Sequence, residues 1–154
     1  MDCFCPAEKD TEELGRKLAR LCQKGDAFTL SGTLGMGKSV LARAFVQELS
    51  NAEEVPSPTF TLVQTYPAAG FDIYHFDLYR LKSPEEIFEI GMEEALFEGV
   101  SLIEWPEKMG GYWPKNAFHI EISANGEGRK ISITTTDEKK QERLKALEDS
   151  CNIR

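Results

Sequence analysis

Gly32-Thr33-Leu34-Gly35-Met36-Gly37-Lys38-Ser39 fills every fixed position of the pattern G-x-x-x-x-G-K-S/T. An apolar run precedes it and an amphipathic one follows. The glycines reach backbone dihedrals closed to other residues, so successive N–H groups can curl around phosphate oxygens, with a helix N-terminus adding its partial positive charge. Lys38 supplies an ammonium for the β- and γ-phosphates, and the Ser39 hydroxyl suits Mg²⁺. The expected contacts to ATP are therefore Thr33, Leu34, Gly35, Met36, Gly37, Lys38, Ser39 and Val40.

Such a loop binds; hydrolysis also needs a second group to hold Mg²⁺ and a means of orienting water. Two acids end strand-like runs, Glu104 after Ser-Leu-Ile and Asp77 after Tyr-His-Phe. In a parallel α/β sheet such strand ends share the carboxyl edge with the loop. Glu104 is expected, with Ser39, to hold the metal, and Asp77 to serve Mg²⁺ or water, the two acids' roles being open to exchange. Thr59, on the stiff Val55-Pro56-Ser57-Pro58-Thr59 segment, is a further candidate for the γ-phosphate or metal. The strand positions of His75 and His119 point to structural or surface roles. Trp105 fits either the core or a partner contact.

The elements around these residues follow from patterning. Leu14, Leu18, Leu21 and Cys22 recur at helical spacing over 11–23, and Gly25 closes that segment. Residues 27–31 fit a buried strand feeding the loop, and Leu41, Ala44, Phe45 and Leu49 form the apolar stripe of a helix ending near Ser50-Asn51. Strands are expected at 60–66 and 71–79, paired across the turn 67–70, with Tyr74, Phe76 and Leu78 on one face and His75, Asp77 and Tyr79 on the other. Ser83-Pro84-Glu85-Glu86 starts a helix closed by Gly91, and 92–97 continues helically. A strand leads to Glu104, an irregular stretch covers 105–115, strands at 118–123 and 130–135 flank a turn, and Asp137 caps a solvated helix near 138–149.

With 154 residues, 41% of them apolar, the chain is expected to form one domain, 1–154. The order of elements predicts an α/β fold of the P-loop NTPase type, a three-layer sandwich with a mixed central sheet and flanking helices. A net charge of -8 disfavours unaided binding to nucleic acid or an anionic membrane. No apolar run approaches the roughly 20 residues that span a bilayer, so a cytoplasmic location is expected. The four cysteines offer one C-x-C and no C-x-x-C, and they read as free thiols without a metal role.

SPTFTLV (57–63), HFDLYRL (75–81) and LIEWPEK (102–108), in order behind GTLGMGKS, resemble the TsaE (YjeE) family over about 11–125. The resemblance implies a small bacterial ATPase needed for threonylcarbamoyladenosine on tRNA beside the anticodon. It also implies partnership with TsaD and TsaB, with tRNA met only through that complex. In the family's pattern the phosphate loop falls on 32–39, a switch-like threonine on Thr59, and the acids on Asp77 and Glu104. No N-K-x-D occurs, so ATP is preferred to GTP. Two rival readings are a compact small-molecule kinase, for which no cluster of arginines reads as a lid, and a nucleotide-gated binding module with negligible hydrolysis.

Overall fold

The computed structural model describes residues 1–33, 37–58 and 60–151. Leu34, Gly35, Met36 and Thr59, all expected at phosphate, lie outside the described residues. In chain order the elements are β1 (Asp2–Cys5), α1 (Glu8–Leu21), β2 (Ala27–Ser31), α2 (Lys38–Leu49), β3 (Val63–Pro67) and β4 (Asp72–Asp77), followed by a 3-10 segment, Pro84–Ile90. Then come α3 (Met92–Glu98), β5 (Val100–Glu104), a second 3-10 segment (Pro106–Tyr112), β6 (Phe118–Asn125), β7 (Gly128–Thr134) and α4 (Glu138–Cys151).

The described strands form one sheet in the order β1-β7-β6-β2-β5-β4-β3. Its centre, β6-β2-β5-β4, is parallel. The β3–β4, β6–β7 and β1–β7 pairs are antiparallel, so the sheet is mixed, as expected. Burial explains the arrangement: every residue of β5 and four of the five in β2 are buried, the pattern of strands covered on both faces.

One face carries the larger core, in which Leu14 and Leu18 of α1, Leu41 and Phe45 of α2 and Leu144 and Leu147 of α4 meet Phe28, Leu30, Leu102, Phe118 and Ile120 of the sheet. Phe28 stacks on Phe118 at 4.8 Å and meets Phe45 edge-on at 5.1 Å. The other face packs Phe76 and Ile103 against Ile87, Met92, Ala95 and Met109, from α3 and the two 3-10 segments. Helices on both sides of a mixed sheet make the α/β architecture read from the sequence.

Local signals explain the boundaries. Asp10 accepts from the Ala7 N–H at 2.9 Å at the start of α1, Glu86 accepts from Ser83 N–H at 2.9 Å, and Asp137 accepts from Lys140 N–H at 3.0 Å before α4. Three expectations are corrected. The strand expected from Phe60 begins at Val63, because Leu62 takes φ 68° and its N–H turns back to Pro58 O at 2.7 Å. The strand expected over 71–79 ends at Asp77, whose Oδ1 accepts from Tyr79 N–H at 3.1 Å and turns the chain. The stretch expected to be irregular after Trp105 is instead wound into 3-10 turns over Pro106–Tyr112. β1 is an addition: it was not expected at all.

Candidate functional site

Asp77 and Glu104 end adjacent parallel strands and are register partners, and Glu104 is also paired with Leu30 of β2. Side chains alternate along a strand, so Glu104 shares its face with Leu102, which packs under α2, and Asp77 shares that face with His75. Both carboxylates are therefore on the sheet face that α2 covers, at the edge where β2 leads into the loop. They are buried, at 6% and 7% exposure. Two buried acids side by side favour a cation between or beside them.

The loop's described ends show why glycine is required. Gly32 has φ 144°, and a Cβ there would lie 2.4 Å from Ile122 O, so β6 fits directly against this backbone. Gly37, with φ 100°, precedes the first turn of α2. Lys38, only 4% exposed, donates from Nζ to Gly32 O at 3.0 Å and lies over the Trp105 ring, 4.0 Å from its centroid. A carbonyl and an aromatic face both favour an ammonium, so the charge is held at the mouth of the loop. Trp105 reaches that position by leaving β5 with φ 59°. Tyr79 packs on Trp105 at 5.0 Å, tying the ends of β4 and β5 together.

His75, expected to be structural or at the surface, is buried on β4 and donates Nε2–H to Glu104 Oε2 at 2.7 Å. Among the described residues its Nδ1 has no hydrogen-bond partner. A bare acceptor there is less costly than a stranded N–H, which fits the Nε2–H tautomer. The bond fixes one carboxylate oxygen of Glu104 and leaves Oε1 for another partner. Sequence alone gave the face of His75 but not its diagonal neighbour on β5. His119, also expected to be structural or at the surface, is half-buried: Nδ1 lies 2.8 Å from Thr29 Oγ1 and accepts from Trp113 Nε1–H at 3.3 Å.

A cavity of about 340 Å³ lies beside the start of α2, lined by Ala7, Thr11, Gly37, Ser39, Val40 and Arg129 among others. A second, of about 620 Å³, is lined by Gly32, Thr33, Trp105, Glu107 and Glu121. Of the expected site residues, Lys38, Asp77 and Glu104 thus come to one sheet edge; Ser39 is exposed beside the first cavity together with Gly37 and Val40, and Thr33 beside the second. Among the described residues no three His, Cys, Asp or Glu side chains form a ready metal cage. Ser39 lines the first cavity, and neither cavity's lining includes Asp77 or Glu104; the hydroxyl and the two carboxylates are hard oxygen donors of the kind that would suit Mg²⁺ beside substrate phosphates.

These features define an α/β protein with a parallel sheet centre, whose adjacent strand ends carry Asp77 and Glu104 and where Lys38 is held over Trp105, the residue after Glu104. Residues 5–131 match the family model described as "Threonylcarbamoyl adenosine biosynthesis protein TsaE". The chain is 37% identical over 144 residues to the tRNA threonylcarbamoyladenosine biosynthesis protein TsaE of Rickettsia conorii, covering 93% of this chain and 82% of that protein. It is 36% identical over 136 residues to the Haemophilus influenzae protein of the same description, covering 84% and 86%. The crystal structure of Bacillus subtilis YdiB superposes with a TM-score of 0.79 at 24% identity, covering 97% of this chain and 95% of that one. The chain belongs to the TsaE family, and its involvement in threonylcarbamoyladenosine biosynthesis follows from that membership.

Proposed function

We propose that the protein binds and hydrolyses ATP with Mg²⁺, slowly alone and faster with TsaD and TsaB, in support of threonylcarbamoyladenosine formation on tRNA. The observation that carries this reading is Lys38 held against Gly32 O and the Trp105 ring, one residue along the chain from Glu104, which is paired with Asp77. The 340 Å³ cavity beside Gly37, Ser39 and Val40 supports it, being of a size for a nucleoside.

In this reading the N–H groups at the start of α2 donate to phosphate, and Lys38 exchanges the Gly32 carbonyl for β- and γ-oxygens. Ser39 and Glu104 hold the metal, and His75 keeps Glu104 oriented. Asp77 orients the attacking water or shares the metal. Bound Mg²⁺ would supply Lewis-acid neutralisation of charge on the phosphates. Leu34, Gly35, Met36 and Thr59 complete the proposed phosphate contacts.

The test is ATP hydrolysis by the purified chain with Mg²⁺, alone and with TsaD, TsaB and tRNA. Turnover stimulated by the partners is expected. Hydrolysis that ignores them but transfers phosphate to a small acceptor would replace this reading with a kinase. ATP binding without hydrolysis under any condition would leave a nucleotide-gated module.

A further inference from the structure

Cys3 and Cys5 lie two apart on β1, so both side chains turn to the same face, and they are 4% and 1% exposed. Their sulfurs are 3.6 Å apart, with a thiol of one hydrogen-bonded to the other. Cys5 also lines the 340 Å³ cavity with Thr11, Gly37, Ser39 and Arg129. We propose that Cys3 and Cys5 form a reversible intrastrand disulfide that closes down the cavity beside α2, making this strand a redox-sensitive wall of the nucleotide site. The effect on nucleotide rests on the function proposed above; the disulfide does not.

The chemistry favours Cys5 as the thiol that reacts first. The hydrogen bond from Cys3 holds the Cys5 thiol below its ordinary value of 9.0; burial opposes this and the Thr11 hydroxyl adds to it. A lowered value raises the reactive thiolate fraction. Cys22 is the contrast: burial first, then Asp26, push its thiol up to about 12, which leaves it inert. With a peroxide as oxidant, the Cys5 thiolate attacks one peroxide oxygen, giving a sulfenic acid and hydroxide. The Cys3 thiol sulfur then attacks Cys5 sulfur and expels the sulfenic oxygen as water, carrying the Cys3 proton, while the hydroxide takes up the proton that Cys5 had lost. Two thiols and one peroxide become one disulfide and two waters.

Geometry explains both the reversibility and the coupling. Alternate residues of a strand sit about 6.6–6.8 Å apart, the upper end of what a disulfide spans. Closing the bond therefore shortens β1 against β7, where Cys3 faces Ile131 and Cys5 faces Arg129. A strained bond of this kind is readily reduced. Gly128 leaves little slack, since a Cβ there would lie 2.7 Å from Cys5 O. The shift passes to Pro6, Ala7 and the start of α1, which line the same cavity as Gly37.

The test uses the full chain carrying Cys22→Ser and Cys151→Ser, treated with hydrogen peroxide. Intact and peptide mass should show loss of two hydrogens within the segment containing both cysteines, reversed by a thiol reductant. Affinity for a fluorescent ADP analogue should fall roughly tenfold on oxidation and recover on reduction, the size of effect expected when a wall of the pocket loses its hydrogen-bonded register. Cys3→Ser in the same background should be insensitive, with Cys3→Ala used if that variant does not fold. Stable oxygen adducts on Cys5 without a cross-link would overturn the disulfide. A cross-link with unchanged affinity would overturn the gate. If the reduced protein binds no nucleotide, the proposed function fails, while the mass measurement still decides the disulfide.

Discussion

Lys38 and Glu104 are the two residues on which the proposed chemistry turns, and each is held by a neighbour far from it in the chain, Trp105 for Lys38 and His75 for Glu104. Lys38 is buried against Gly32 O and the Trp105 ring, so its removal strips the loop of a cation held at its mouth. Lys38→Ala should lose ATP binding by at least tenfold in a titration with a fluorescent analogue; unchanged affinity would remove the phosphate-loop assignment. Glu104→Ala should preserve much of that binding and cut partner-stimulated hydrolysis roughly a hundredfold, the scale of one positioned catalytic group. His75 acts one step back, through its 2.7 Å bond to Glu104 Oε2. His75→Leu should lower kcat about tenfold with little change in KM, consistent with loss of one hydrogen bond to a carboxylate. His75→Gln, which can restore a donor near the Nε2 position, should recover part of the loss. Equal losses in both variants would make His75 a packing residue.

At the scale of elements, α4 shows how a solvated helix is fixed to the core. Arg143 donates to both carboxylate oxygens of Asp26 at 2.8 and 2.9 Å and to Leu21 O at 3.1 Å, and its guanidinium lies 5.1 Å from the Phe118 ring centroid. Asp26 is 4% exposed, so removing its partner strands a buried charge. Arg143→Ala should cost about 3 kcal/mol and lower Tm by roughly 10 °C in a thermal melt. A shift under a degree or two would show that Leu144 and Leu147 alone hold the helix. The same helix illustrates what sequence could tell: Asp137 and the charged surface marked its start and exposure, whereas Arg143 meeting Asp26 depends on a pairing 117 residues apart. Likewise β2 and α2 were legible because a motif and two periodicities coincide there. β1 was not, since Asp2–Cys5 is four residues long and is made a strand by β7 rather than by its own composition. The late start of β3 was hidden for a similar reason: Phe60 and Thr61 have strand propensity, but Leu62's turn to Pro58 overrides it.

For the molecule as a whole, charge sets the terms on which tRNA can be met. The net charge is -8, with 18 basic residues against 26 acidic ones. Several of the cations are already engaged: Arg16 and Arg20 with Glu13 and Glu48, and Arg143 with Asp26. Sequence-independent nucleic-acid affinity rests on releasing counterions from phosphates through free Lys and Arg, and it weakens steeply as salt rises. The isolated chain should therefore give no retardation of tRNA at physiological ionic strength in a gel-shift measurement, with or without ATP and Mg²⁺. Addition of TsaD and TsaB should bring tRNA into a common complex while the protein's own contribution to the salt slope stays near zero. Micromolar tRNA binding by the chain alone, weakening with salt as several phosphate contacts require, would contradict this and would point to a concentrated basic face that the overall charge conceals.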